Sequence, residues 1–408
     1  MSEGVEALYL HVPFCVRRCR YCDFATAATH HDDARMLAYE RSLERLVGQA
    51  REIGLLGRPG SAYVGGGTPT MLGAEGLPSL VSAICAAGPV DELSFEANPE
   101  SLSDEMLARA REAGATRVSV GVQSFDDREL RGLGRVHDAL LARDRVAAAV
   151  DSGLDVSLDL MCGIPFQTLE SWRSSLVQAV ELGVGHVSCY PLMIEPGTPL
   201  ERMCESGQLP WPSDDTEADD MEAALEVLGQ AGFSRYEVAS YARPGKRCAH
   251  NVRYWTGVEY LGLGTAAASM LGRVSYLRLR EAVPALAAPI DDAVRFRLTI
   301  CSTTDELVCA TSLASLSFEV EQLSEREAVA EDLMLAARMT DGLPTPLIEH
   351  ARTTLGSARV DDALANLVRC GLLERGSVGS LVPTHDGWLL GNELYGALWD
   401  LASDPSQG

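Results

Sequence analysis

The stretch YLHVPFCVRRCRYCDF, residues 9–24, carries three cysteines, Cys15, Cys19 and Cys22, at C-x3-C-x2-C spacing, with no fourth to close the set. A structural zinc site wants four ligands, and a disulfide wants two. Three thiolates suit a cubane iron–sulfur cluster, because iron clusters are held by cysteine sulfur. With three irons anchored, the fourth is left for an exogenous ligand, by the logic that gives a catalytic zinc its open position. A second feature is the glycine run Gly65-Gly66-Gly67, continued by Thr68-Pro69-Thr70. Glycine lets backbone pass close to a ligand with no Cβ in the way, although alone such a run would read as a turn.

The elements that must position these residues are legible as an alternation. ALYLHVPF reads as a strand and RMLAYERSLERLVGQAREIG as a helix with apolar residues three and four apart. The same pair recurs through SAYVGGG, ELSFEAN, RVSVGVQSF and LDVSLDLMCGIP, each followed by a helical stretch, and ends on a sixth strand, HVSCYPL. Strand–helix alternation means a parallel sheet with right-handed crossovers. The expected fold is α/β: an open or partial (β/α)6 TIM-type barrel with its chemistry at the C-terminal ends of the strands. The special residues fall there: the cysteines after strand one, GGGTPT after strand two, Glu96 ending strand three, Gln123 ending strand four. Asp159 lies within strand five.

The barrel is expected over 1–230. Residues 231–284 read as extra strands and turns on its edge, 285–324 as an irregular connection, and 325–408 as a small winged-helix-like α+β domain. Its helix DDALANLVRCGLLERG, a turn, SLVPT and the closing GWLLGNELYGALWDLA carry the helix, wing and helix.

The net charge of −24 argues against a partner held through phosphates, so nucleic acid is a poor candidate. The acidic run SDDTEADDME, Ser213 to Glu222, reads as the solvated, capped start of a helix. No stretch reads as a membrane span or export signal. Eleven cysteines then suit a reducing compartment, and the expectation is a cytoplasmic protein.

With these elements in place, the cysteine spacing resembles the signature of the radical S-adenosylmethionine (SAM) superfamily over residues 7 to about 230. The resemblance implies a [4Fe-4S] cluster on Cys15, Cys19 and Cys22, with SAM chelating the open iron. One electron from the cluster can then cleave the sulfonium to methionine and a deoxyadenosyl radical. A finer resemblance, carried by GGGTPT, FEANPE, LGRVH, DLMCGIP, IEPGTPL and HNVRYW, is to the oxygen-independent coproporphyrinogen III oxidases and their HemW-type relatives. It implies that Tyr9, Gly66 and Glu96 contact the cluster-bound SAM. Tyr21, Gly67, Thr68, Gln123, Arg135 and Asp159 would line the same cavity, where the oxidases hold a second SAM. An arginine there can grip a carboxylate bidentately, and an aspartate or glutamine can bind ribose hydroxyls.

Two departures separate the chain from the oxidases. Asp23-Phe24 follows Cys22 where they carry a fourth cysteine, and fourteen residues precede Cys15 where they have a long extension. Both features resemble the HemW group, which implies a heme chaperone that passes heme to an acceptor protein and draws electrons from a donor such as flavodoxin or ferredoxin. A porphyrinogen oxidase ranks second and a radical SAM methyltransferase third.

Heme needs a ligand. CAHNVRYW offers His250, preceded by Cys248 and followed by Tyr254 and Trp255; imidazole nitrogen is a usual axial ligand and thiolate a rarer one. From chemistry alone a lone histidine is more often structural; the H-N-x-x-Y-W resemblance favours a ligand. In YLGLGTAAAS the family usually carries a histidine where this chain has Ala268, which bears on how heme or a client is held.

Overall fold

The computed structural model describes residues 4–30 and 32–403. Six parallel strands occupy its centre: β1 Ala7–Val12, β2 Ser61–Gly66, β3 Glu92–Ala97, β4 Arg117–Gln123, β5 Asp155–Cys162 and β6 His186–Pro191, hydrogen-bonded in that order. Most residues of these strands are buried, as expected when helices cover a parallel sheet. The returning helices include Arg35–Glu52, Gly73–Ala87, Asp104–Ala113, Ala139–Asp151 and Leu169–Glu181. Three of them start where the sequence offers a cap: Ser103, Asp138 and Thr168 each accept a hydrogen bond from the first turn. β6 does not pair with β1, so the barrel is open.

Both open edges are then extended. β7 Ser234–Arg235 and β8 Ser240–Ala242 run antiparallel beyond β6, while β9 Tyr260–Leu263 joins β1 in parallel. β10 Ala268–Gly272, β11 Ala293–Ile300 and β12 Phe318–Ser324 continue antiparallel from β9, giving one twelve-stranded sheet. Residues 285–324, expected to be irregular, therefore contain two sheet strands. Phe296, Leu298 and Ile300 face inward at period two, and a register shift between Ala293 and Arg295 breaks that period at its start. Residues 325–403 fold as three helices, a hairpin of β13 Leu373–Arg375 with β14 Leu381–Pro383, and two further helices. They enclose a separate apolar core that includes Leu333, Leu364 and Leu394.

Two expectations need correction. The segment Pro69–Ala87 does have the length and mean hydropathy, 1.3, of a span, yet 44% of it is buried inside the fold. Leu77, Leu80, Val81 and Ile84 pack it into the core. The acidic run does open a helix, Asp214–Gln230, but Ser213 supplies no side-chain cap. Asp220 is buried and accepts the Gly163 N–H at 3.2 Å, so this acid is structural rather than solvated.

Candidate functional site

At the C-terminal end of the barrel the cysteine loop hangs from β1 and is tied back by two side chains. Thr68 Oγ1 donates to Cys15 Sγ at 3.5 Å, and Arg135 Nη1 donates to Cys19 Sγ at 3.4 Å. Asn98 joins them, its Nδ2 donating to Thr68 Oγ1 at 2.9 Å and its Oδ1 accepting from Arg135 Nη2 at 2.6 Å. Asn98 lies in FEANPE and is not among the residues that the sequence singles out. Its place directly after β3 was the signal available.

Gly66 shows why β2 ends in glycine. Its φ is +114°, and a Cβ there would stand 2.6 Å from the His11 ring. Its N–H donates to Glu96 Oε2 at 2.9 Å. The His11 ring is fixed from both sides, its Nδ1 accepting from Tyr9 Oη at 3.1 Å and its Nε2 donating to the Ala25 carbonyl at 3.0 Å. At the end of β4 the register slips between Gly121 and Gln123, and Gln123 takes a φ of +70°. Bulges of this kind re-aim a side chain beside a site. The Gly121 carbonyl at the bulge accepts from Arg135 Nη2 at 2.6 Å.

Deeper in the barrel stand two acids. Burial, reinforced by Asp159, pushes the Glu96 carboxyl up to about 7. Asp159 is raised by burial too, against the Ser119 hydroxyl that donates to it at 3.0 Å.

Residues 246–250 close the opposite end of the barrel, and the opening residue of every strand from β2 to β6 helps to hold this floor. Ser61 Oγ shares a 3.0 Å hydrogen bond with His250 Nδ1. Glu92 accepts from the Ala249 and His250 N–H groups at 2.9 and 3.0 Å. Arg117 donates to the Lys246 carbonyl at 3.1 Å, and Asp155 pairs with the Lys246 ammonium. His186 shares a 2.9 Å hydrogen bond with Tyr236 Oη, which accepts the Cys248 N–H at 3.3 Å. His250 is 2% exposed, stacked on Tyr63 and met edge-on by Tyr254. Burial, with Arg253 adding, pulls its pKa down to about 3, so it is a neutral imidazole, and its Nε2 has no partner.

The candidate cluster, SAM and heme residues line one cavity of about 600 Å³, from Cys15, Cys19 and Cys22 at one end to His250 at the other. Tyr9, Tyr21, Gly66, Gly67, Thr68, Glu96, Gln123, Arg135 and Asp159 lie between them.

The sequence profile of the radical SAM superfamily matches residues 9–178. A protein named Heme chaperone HemW from Mycobacterium tuberculosis is 35% identical over 368 residues, 88% of this chain and 87% of its own. The chain belongs to the HemW family of radical SAM proteins. The Bacillus subtilis Heme chaperone HemW is 28% identical over 400 residues, covering 96% of this chain and 99% of that one. Among solved structures, the coproporphyrinogen III oxidase HemN from Escherichia coli superposes with a TM-score of 0.75, covering 98% of this chain and 90% of its own. At 21% identity that likeness speaks for the fold alone.

The donor set fits the cluster that a radical SAM family implies. Burial pushes Cys15 up to about 11, with Cys22 and Cys19 beside it adding to the rise, so the Cys15 thiol resists ionising unaided. Bound iron removes that resistance, because metal binding displaces the protons. Among the described residues no three Cys, His, Asp or Glu side chains are gathered around one point as a ready-made ion site. Ala268, where the family usually has histidine, is exposed at the start of β10 and does not line the cavity.

Proposed function

We propose that this chain is a cytoplasmic heme chaperone that carries a [4Fe-4S] cluster on Cys15, Cys19 and Cys22 with an exchangeable SAM, and passes heme to an acceptor protein. When bound, cluster and SAM supply one-electron cleavage of the sulfonium, the electron coming from a flavodoxin- or ferredoxin-like donor. The chain's own residues position and shield that pair. Gly66 brings backbone close without a Cβ, Glu96 and Tyr9 face the same space, and Arg135 spans from Cys19 to Asn98. Tyr21, Gly67, Thr68, Gln123 and Asp159 enclose the rest. All eleven cysteines are free thiols, which suits a reducing compartment.

One observation carries this reading: a cysteine trio without a fourth member opens onto a SAM-sized cavity in a chain that is 35% identical to a heme chaperone over 88% of its length. His250 has the chemistry of a heme ligand, a neutral ring with one free nitrogen. It is buried at the closed end of the cavity, on the helix Ala249–Trp255.

Anaerobic reconstitution followed by heme titration tests the proposal. The expected result is a brown protein that binds heme, and a Cys19→Ala variant without the cluster absorbance. Zinc in place of iron, or no heme binding by the reconstituted wild type, overturns it.

A further inference from the structure

We infer that, while the barrel floor is closed, heme docks across the mouth of the cavity, on an apolar rim beside the cysteine loop, with its carboxylates on Arg17 and Arg18. The inference rests on the chaperone reading above.

Space is the first argument. A cavity of about 600 Å³ lies within the range that one drug-sized ligand fills. A cubane and SAM would draw on that same space, so a porphyrin disc inside it competes with them. Access is the second. His250 is packed between Tyr63 and Tyr254, with ring centroids 5.1 and 5.0 Å away, on a floor tied to the starts of five strands.

The mouth offers what the floor withholds. Val16, Phe24, Val136, Tyr190 and Met193 line the cavity and are also exposed, Phe24 at 63% and Met193 at 70%. Large apolar side chains gathered at one opening mark a binding surface. Beside them Arg17 and Arg18 are exposed, and neither forms an ion pair among the described residues. Arg18 donates its Nε to the Cys22 carbonyl at 2.9 Å, which holds its guanidinium over the loop. In a chain of net charge −24, two adjacent unpaired guanidinium groups are a local exception. Asp23 and Glu195 line the same cavity and repel carboxylates, so they favour the orientation with the propionates on the arginines. Heme combines a flat apolar face with two carboxylates, and matches this surface on both counts. Seated there, it would also cover the cluster loop from solvent.

The test titrates hemin into the full-length, cluster-reconstituted chain under anaerobic conditions, following the Soret band. Wild type is compared with Phe24→Ala, Met193→Ala, the double variant R17E/R18E, and His250→Ala. Phe24→Ala should weaken binding about ten-fold, the scale of one large apolar contact. R17E/R18E should weaken it about ten-fold at low salt and less at high salt, because exposed charges are screened. Retained cluster absorbance and SAM binding in the rim variants show that they fold. His250→Ala should weaken binding less than either rim change, because the floor that holds this ring stays closed. Wild-type affinity in the rim variants, with binding lost in His250→Ala, overturns the inference and leaves the chaperone reading standing. Failure of wild type itself to bind heme overturns both.

Discussion

Gly66→Ala should be among the more damaging single-methyl changes in this chain, and its cost can be divided in advance. The new Cβ lands 2.6 Å from two atoms of the His11 ring, at a φ of +114° that side chains rarely adopt. Backbone strain at such a position costs about 1–3 kcal/mol, and overpacking adds about 1–3 kcal/mol. Together they take a large part of a typical total stability of about 5–15 kcal/mol. The His11 ring cannot retreat cheaply, because moving it breaks its bonds to Tyr9 and to the Ala25 carbonyl, which follows the cysteine loop. Gly73→Ala is the control: its φ is +77°, but nothing lies within 4 Å of the added Cβ, so it carries only the backbone part, about 1–3 kcal/mol. Urea midpoints of the apo chain measure both. His11→Ala placed on Gly66→Ala should restore the overpacking part, seen as about 1–3 kcal/mol of favourable coupling in a double-mutant cycle. A Gly66→Ala midpoint equal to that of Gly73→Ala, or an absent coupling, would refute the claim that ring contact sets this glycine.

Glu96 gives a pH signature in the SAM-free chain. Its carboxyl sits at about 7 folded against 4.5 ordinarily, so between those values the folded state holds more protons than the unfolded one. Stability should therefore fall as pH rises from 4.5 to 7 and level off above; Asp159, also raised by burial, acts with the same sign. Glu96→Gln should flatten that slope in urea melts, and an unchanged slope would count against the buried acid. Glu331 is buried and bridges Arg295 at 2.7 Å and Arg297 at 3.1 Å. Glu331→Ala should cost about 1–3 kcal/mol, since Arg295 and Arg297 each lose one charged partner but keep Asp332 and Glu321. A loss below about 1 kcal/mol would mean that water replaces the acid. Glu92→Ala should cost about 1–2 kcal/mol by uncapping Ala249–Trp255, and amide exchange at Ala249 and His250 should quicken measurably, whereas unchanged exchange would show that Glu92 does not hold the floor.

The parallel strands were legible because each is a short apolar run that ends in residues no core would choose, such as Glu96 or the Gly65–Gly67 run. Parallel strands covered on both sides have no polar face to blur the pattern. β11 hid for the opposite reason. Its sequence AVRFRLTI alternates, but Arg295 and Arg297 look like surface charge until their partners arrive from Glu321, Glu331 and Asp332. Those partners lie some thirty residues away, on β12 and on the helix Glu325–Ala336, and no local window holds them. Asp220 misled in the same way: one acid in a run of acids gives no sign that a single carboxylate will be buried against the Gly163 N–H.

The site divides along the same line. Residues at the C-terminal ends of the strands announce themselves by type, since thiols, triple glycine and a terminal acid have few structural uses there. The floor does not, because Ser61, Glu92, Arg117, Asp155 and His186 are ordinary first residues of strands, and only the fold shows that all five hold one plug. That bears on His250, which the H-N-x-x-Y-W resemblance made a heme-ligand candidate. In three dimensions Tyr254, from the same motif, packs against the imidazole itself, together with Tyr63 from β2. A motif can thus be conspicuous for its chemistry while its geometry serves closure. The rim residues Phe24 and Met193 are the converse, unremarkable in sequence and conspicuous only once exposure and the cavity they share with the cysteines are seen together.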